Sequence, residues 1–279
     1  MTAAAAPRVP ESRLALMART RWGRRLRAAI PPVAVFALVI VAWEASLTLL
    51  GVQQFLLPRP SVIVAALVAE QADLSRGAAY TATEALGGLF LGSLLGIGAA
   101  FATARWVTAR ESLLPVAIAA NSIPIIALAP IANIWFGSDN PVSRMAIVAV
   151  MVFFPMMVNA VRGLVEVDPA ALELMEANAA STWQVIAKVR IPNALPYVLT
   201  ALKIATTLSV IGAVVGEYFG GPQYALGVYI TSEAYVFRYM NAWAAILIAS
   251  TMGIVFYLAV VGLERLALPW HASNRAASG

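Results

Sequence analysis

Long apolar runs separated by short polar stretches dominate the chain. An α-helix needs about 20 predominantly apolar residues to cross the hydrocarbon core of a bilayer. The pattern therefore predicts an all-α integral membrane protein with about six transmembrane helices. The six apolar runs lie roughly at 29–50, 80–103, 113–135, 145–163, 195–216 and 242–263.

The distribution of basic residues predicts the orientation of these helices. With six spans, the two ends and every second loop lie on the same side, and they hold 14 of the 19 basic residues. The opposite loops hold four, which are Arg59, Arg76, Arg144 and Arg238. Because cytoplasmic loops carry the excess of Lys and Arg, both termini are predicted to be cytoplasmic. The predicted organisation is a basic segment at 1–28, a transmembrane domain at 29–265 and a tail at 266–279.

Composition narrows the possible functions. The chain is 61% hydrophobic and 12% charged, with a mean hydropathy of +0.81, far from a soluble domain. It has no cysteine, and its one histidine, His271, lies in the tail. We therefore predict no catalytic residue, no metal site and no enzyme activity. The basic excess faces one side of the membrane, so it predicts contact with lipid headgroups and not with nucleic acid.

Small and polar residues inside the apolar runs predict how the helices pack. Gly88, Gly92 and Gly96 form a small-residue stripe on one face of the second run, which predicts close approach of another helix. The third run contains two prolines and several amide and hydroxyl side chains. Such groups need partners in hydrocarbon, so they predict either a substrate path or interhelical hydrogen bonds. The candidate path residues are Asn121, Ser122, Asn133, Glu217 and Tyr229.

Four ionisable residues lie in or near the ends of the spans, and each has an interpretation that needs no catalytic role. Glu217, at the outer end of the fifth run, is either a gate or packing residue or an interfacial side chain that reaches the membrane surface. Glu44 and Glu84 are predicted to be interfacial. Lys203 is predicted to extend toward the cytoplasm.

A polar segment at 172–196 interrupts the apolar pattern on the predicted cytoplasmic side. Asp168-Pro169 fits an N-cap followed by proline at the first helical position. Ser181-Thr182-Trp183-Gln184 fits a capping box, which predicts a second helix through Arg190. Pro192 and Pro196 are predicted to end that helix before the fifth span. A helix pair this short cannot stand alone in water, so we expect it to dock against a partner.

This segment resembles the EAA loop of binding-protein-dependent ABC importer permeases. The family pattern is E-A-A, three residues, G, nine residues, I, one residue, L-P. Glu173 stands at the glutamate, Ala179 at the glycine, Val189 at the isoleucine and Ile191-Pro192 at the Leu-Pro. Alanine in place of glycine predicts that the bend need not be left-handed. The stretches SIPIIALAPIANIWFG (122–137), FFPMMVNAVRGLVEVDP (153–169) and ALKIATTLSVIGAVVGEYFGG (201–221) extend the resemblance, over roughly residues 80–265, to the nitrate/taurine/sulfonate branch.

The resemblance implies a function for the loop, which spans about 164–194. In the family it forms a coupling helix that seats in a groove on a cytoplasmic ATPase subunit. Closure of the ATPase dimer then moves the permease between inward-open and outward-open states. Carboxylates on this helix can pair with basic groups on the partner, and Leu172 and Met175 can fill an apolar groove. The implied coupling residues are Leu172, Glu173, Met175, Glu176, Ala177, Ala179, Ala180 and Ser181.

The resemblance also implies partners and a location. We expect a multi-pass protein of the bacterial inner (plasma) membrane, working with ATPase subunits, a periplasmic or lipid-anchored binding protein and a second permease copy, as a homodimer. The chain has no G-x-x-x-x-G-K-[ST] loop, so ATP and Mg are expected on the partner subunit. A secondary transporter or a membrane enzyme acting without an ATPase is the alternative.

The implied substrates are a sulfonate or taurine, a nitrate-like anion, or a pyrimidine- or riboflavin-type vitamin precursor. The third run bears amides and no inward basic residue, which favours a neutral heterocycle.

Overall fold

The computed structural model of the protein describes residues 11–105, 115 and 124–268. Every regular element in these residues is helical, which confirms the all-α prediction. The helices are α1 (Glu11–Leu49), α2 (Pro60–Ala69), α3 (Gln71–Arg105), α4 (Ile125–Phe136), α5 (Pro141–Val165), α6 (Pro169–Ala177), α7 (Thr182–Val185), a π-helical turn (Ile186–Arg190), α8 (Ile191–Glu217), α9 (Leu226–Tyr235) and α10 (Tyr239–Ala267).

The helices of span length match five of the six predicted apolar runs. Within the described ranges, five segments are long and apolar enough to cross a membrane: Ile30–Leu49, Gln71–Thr103, Pro141–Val165, Thr182–Glu217 and Tyr239–Ala267. The remaining predicted run, 113–135, lies partly outside the described residues. Its described part ends in the 12-residue helix α4, which has Pro130 in its interior. The predicted path residues Asn121 and Ser122 lie outside the described residues.

The chain divides into two compact units, Met1–Val64 and Ala65–Gly279. In the first unit, α1 runs without a break from the predicted basic segment into the first span. Its Glu44 carboxylate accepts hydrogen bonds from the backbone N–H and the hydroxyl of Ser61, at 3.0 and 2.7 Å. Glu44 therefore joins the end of α1 to the start of α2.

The second unit is built around close packing of α3 against α5. A Cβ on Gly88 would lie 2.4 Å from Val148 Cβ, and one on Gly92 would lie 2.5 Å from the Ala149 carbonyl oxygen. A Cβ on Gly96 would come within 2.7 Å of a backbone oxygen of α5. Contacts this short exclude any side chain, so the predicted role of the glycine stripe in helix packing is confirmed.

Prolines at the start of α8 do not end a helix, and that prediction was wrong. The helical path continues from Thr182 to Glu217, with Pro192 in the first turn of α8 and Pro196 in its interior. A proline ring normally collides with the carbonyl four residues earlier. The π-helical turn Ile186–Arg190 directly precedes Pro192, and its wider ring of backbone atoms gives that proline room.

Candidate functional site

Helix α6 begins the predicted coupling loop with a well-defined cap. The Asp168 carboxylate accepts a hydrogen bond from the Ala170 N–H at 3.0 Å, and Pro169 occupies the first helical position. The carboxylate satisfies one of the unpaired N–H groups at a helix start, and proline has no N–H to satisfy. The predicted N-cap is confirmed.

The bend after α6 is left-handed, a geometry that the alanine at this position had left open. Ala179 has a φ of 50°. Its N–H donates to the Glu176 carbonyl at 2.8 Å, and the Ala180 N–H donates to the Met175 carbonyl at 3.0 Å. This pair of bonds is the Schellman motif, which requires a left-handed residue at the position of Ala179. The hydrogen bonds hold the alanine in a conformation that glycine adopts more easily.

The capping box at the start of α7 is present in full, as predicted. The Ser181 N–H donates to the Gln184 side chain at 2.8 Å, and the Gln184 N–H donates to the Ser181 hydroxyl at 3.4 Å. The two caps leave only a short, hydrogen-bonded bend between α6 and α7. The loop is therefore a defined helical element and not a flexible connection.

The predicted coupling residues differ in exposure. No residue of α6 is buried. Leu172, Met175 and Ala180 are half-buried within the chain, whereas Glu173, Glu176, Ala177, Ala179 and Ser181 are exposed. The large hydrophobic side chains of this loop that are exposed are Leu174, at 65%, and Trp183, at 71%. Sequence reasoning chose Leu172 and Met175 as the apolar contacts and missed these two, although an aromatic residue in an otherwise polar helix was the available signal.

Behind the bend lies a cavity of about 460 Å³. It is lined by side chains of α7 and the π-helical turn together with Phe101 of α3 and Leu164 of α5. Next to it, the inner ends of α3, α5 and α8 form an apolar core of Ala100, Met157, Ala160, Val161, Leu164 and Ala194. The bend thus faces the inner end of the bundle across this cavity.

Two side chains that sequence reasoning did not single out fasten α8 to the end of α5. The Asn193 amide donates to the carbonyl oxygens of Gly163 and Glu166 at 2.8 and 2.9 Å. Arg190 donates to the Leu164 carbonyl oxygen at 3.0 Å. The last carbonyls of a helix have no partner within that helix, so these bonds cap α5 from a neighbouring element. These bonds therefore fasten the π-helical turn and the start of α8 to the end of α5.

At the opposite end of the bundle, three charged side chains are fully buried. Glu84 of α3, Arg144 of α5 and Glu217 of α8 each have 0% exposure. The Arg144 Nε donates to Glu84 Oε1 at 2.9 Å, and its other nitrogens donate to the Tyr80 hydroxyl and the Ser138 carbonyl. The interfacial interpretations of Glu84 and Glu217 were therefore wrong. Arg144, counted as a loop residue, lies inside α5, where these three hydrogen bonds offset part of the cost of burying it.

Glu217 accepts hydrogen bonds from α3 and from the start of α9. The Thr81 hydroxyl donates to its Oε1 at 2.7 Å, and the Gly227 N–H donates to its Oε2 at 2.6 Å. A Cβ on Gly227 would lie 2.6 Å from Glu217 Cβ, so the contact requires glycine. The N-terminus of α9 thus points at the carboxylate, which favours negative charge there.

Of the other predicted path residues, Asn133 and Tyr229 lie in the described part of the chain. The Asn133 amide donates to the Phe219 carbonyl at 3.0 Å, and its oxygen accepts from the Ser143 hydroxyl at 2.5 Å. Both ends of that side chain are thus engaged in interhelical hydrogen bonds. Tyr229 is half-buried on α9, where burial, followed by nearby Glu70 and Glu233, raises its pKa to about 12. Their role in a path stays a prediction.

Lys203 pairs with Glu264 of α10 at 3.0 Å.

Comparison with known proteins identifies the chain. Residues 88–269 match the family model described as binding-protein-dependent transport system inner membrane component. The chain belongs to this family. It is the permease component of a binding-protein-dependent ABC importer, located in the inner membrane, and it works with an ATPase and a binding protein.

Relatives of this permease include proteins named for vitamin-type cargo. It is 34% identical to the formylaminopyrimidine transport permease protein ThiX of Halalkalibacterium halodurans, over 88% of this chain and 98% of the relative. It is 29% identical to the riboflavin transport system permease protein RibX of Chloroflexus aurantiacus, over 85% of this chain and 88% of the relative.

Among solved structures, the permease resembles an inward-facing form of the MetNI methionine ABC transporter. The TM-score is 0.60 at 20% identity, over 71% of this chain and 97% of that one. At this identity the likeness supports the all-helical fold alone. In the described part of the permease, no group of three or more metal-ligating side chains is assembled.

Proposed function

We propose that the permease receives the motion of its ATPase through the surface of α6 and α7. One observation carries the proposal: α6 buries none of its residues, yet it is capped at both ends, and the helical segment that follows it is fastened to the end of α5 by Arg190 and Asn193. A helix this exposed and this well fixed is suited to a partner's groove. The proposed contact residues are the exposed members of the predicted set together with Leu174 and Trp183.

The chemistry of this surface fits a basic and partly apolar groove. Glu173 and Glu176 are three residues apart, so they lie on the same side of α6, and both are exposed. Leu174 and Trp183 add exposed apolar area of the kind that forms the centre of binding energy at interfaces. Leu172 and Met175 are half-buried within the chain and offer less surface to a partner.

Two copies of the permease are proposed for the complete importer. Each chain supplies one coupling loop, and an ATPase dimer presents two grooves. A homodimer matches these numbers with one kind of chain, and a closed two-fold assembly is the commonest form of oligomer.

Binding of the ATPase tests the coupling surface. Leu174→Ala should weaken ATPase association roughly tenfold, since an exposed leucine in a partner groove contributes more than 1 kcal/mol. Leu266→Ala is the matched control, because Leu266 is 82% exposed at the same end of the bundle but outside the loop. Pull-down of the ATPase with each variant, at equal permease levels, measures the difference in association. Equal association of the two variants would remove the α6 surface from the interface.

For the solute, we infer a neutral pyrimidine-type heterocycle. The permease is 34% identical to a formylaminopyrimidine permease over nearly the whole of that relative. The charge arrangement supports the same class. In the described span helices after α1, the basic side chains that are buried or half-buried are Arg144, Arg190 and Lys203. Each is already bonded within the chain, which favours an uncharged solute over a sulfonate or nitrate.

Uptake measurements test the solute class. The permease, reconstituted in liposomes with the ATPase and the binding protein encoded beside it, should import a labelled formylaminopyrimidine. Excess unlabelled formylaminopyrimidine should suppress this uptake, and excess taurine should not. Import of labelled taurine, with no competition by the pyrimidine, would replace the heterocycle by an anion while leaving the importer function intact.

A further inference from the structure

The buried charges at the outer end do not balance as they stand. Arg144 supplies one positive charge, whereas Glu84 and Glu217 supply two carboxyl groups, and all three residues have 0% exposure. A buried site with an uncompensated charge is strongly unfavourable. When two carboxyl groups share a site, one of them stays neutral.

The hydrogen-bond donors around Glu217 favour its ionised form. Both Glu217 oxygens accept hydrogen bonds, from the Thr81 hydroxyl and from the Gly227 N–H. The second of these donors is at the N-terminus of α9, a helix of ten residues, where the helix dipole favours an anion. Glu217 is therefore held as a carboxylate by donors on two elements.

Glu84 has the complementary arrangement. Its Oε1 accepts from Arg144, but its Oε2 is buried and has no hydrogen-bond donor. Glu84 follows Thr81 by about one helical turn on α3, and the Thr81 hydroxyl donates to Glu217, which places the two carboxyl groups next to each other. Two carboxylates cannot hydrogen-bond to one another because both are acceptors only, whereas a protonated carboxyl can donate to a carboxylate.

We propose that Glu84 and Glu217 form a buried binding site for a single proton. The proton resides on Glu84 Oε2 and is donated in a hydrogen bond to Glu217, and the ionised Glu217 balances the charge of Arg144. This assignment gives the orphaned oxygen a partner and leaves the cluster neutral. No proton needs to move during transport, and the inference does not depend on the identity of the solute.

The site has a structural consequence. Its members come from α3, α5 and α8, and Glu217 also holds the start of α9. Pulling any of these helix ends away would leave an unpaired charge or donor in an apolar environment. The four outer helix ends are therefore expected to move as one body.

Infrared difference spectroscopy tests for the proton directly. Full-length permease in its transporter complex at neutral pH should show the carbonyl-stretch band of a protonated carboxyl group, which is absent from Glu84→Gln. The band should also be lost in Glu217→Gln, because Glu84 then ionises to balance Arg144. Glu173→Gln is the control, since Glu173 is exposed, and it should retain the band. A spectrum without this band in wild type, or with the band unchanged in Glu84→Gln, would overturn the proposal.

Charge counting provides a second test. Each single Glu→Gln variant keeps one negative charge beside Arg144, so its melting temperature should stay within roughly 3 °C of wild type. The Glu84→Gln, Glu217→Gln double variant leaves Arg144 unpaired, and it should melt about 10 °C lower or fail to accumulate. If either single variant were as unstable as the double variant, two carboxylates would be needed. Stabilisation of wild type by Na⁺ over K⁺ would identify a metal cation in place of the proton.

Discussion

Helices α5 and α8 carry two very different regions at their two ends. At the outer end, three ionisable side chains are completely removed from solvent, where Arg144 donates to Glu84 and Glu217 accepts from Thr81 and Gly227. At the inner end, α6 buries no residue, and the loop is attached through side chains that cap the carbonyl groups of α5. A buried charge network cannot be partly broken without a large penalty, whereas an exposed capped helix can change partners. The outer end is thus built for rigidity and the inner end for contact with another protein.

Loss of the buried arginine should have the largest effect on stability. Arg144→Met leaves Glu217 without a counter-charge, and removal of one partner from a buried pair costs about 3–5 kcal/mol. Arg162→Met is the matched control, because Arg162 is on the same helix but exposed at the inner end. Thermal unfolding and the amount of permease in the membrane measure the difference. Equal stability of the two variants would contradict the rigid outer end.

Removal of the Asn193 cap should have a smaller effect on stability and a larger one on coupling. Asn193→Leu loses the donors to the Gly163 and Glu166 carbonyls, which costs about 1–3 kcal/mol. Solute import per ATP hydrolysed should fall, because the loop is no longer fastened to α5. Thr200→Leu, an exposed position further along α8, should leave this ratio unchanged. A normal ratio in Asn193→Leu would show that the cap does not transmit motion.

Relief of the strained bend should give a modest gain in stability. Ala179 has a φ of 50°, where a side chain is unfavourable and glycine is not, so Ala179→Gly should stabilise the loop by about 1 kcal/mol. Ala177→Gly, at the end of α6, should instead destabilise it by about 0.5–1 kcal/mol. Hydrogen exchange of the α6 amides compares the two. Faster exchange in Ala179→Gly than in wild type would contradict the assigned bend.

The two regions also differ in how much of them could be predicted from the sequence. The loop could be predicted because its caps are local: Asp168, Ser181 and Gln184 act on backbone groups within three residues. The glycine stripe could be predicted because helical periodicity places its members on one face. The outer cluster could not, since Glu84, Arg144 and Glu217 are separated by 60 or more residues along the chain and meet only through the tertiary fold.

Two local features were decided by the neighbouring backbone. The alanine at position 179 left the handedness of the bend open, and the Schellman hydrogen bonds hold it in the left-handed region. Pro192 was expected to end a helix, but the π-helical turn before it accommodates the ring. In both places the neighbouring backbone, and not the residue itself, determines the conformation.

The coupling of ATP hydrolysis to import in Glu173→Ala tests the central claim most directly. Glu173 is exposed on α6, so its loss should change the stability of the permease by less than about 0.5 kcal/mol. In liposomes that contain equal amounts of permease, ATPase and loaded binding protein, we predict that Glu173→Ala imports much less solute per ATP hydrolysed than wild type. Glu176→Ala should have a milder effect. A wild-type ratio of import to hydrolysis in Glu173→Ala, with normal ATPase association, would contradict the assignment of α6 as the coupling helix.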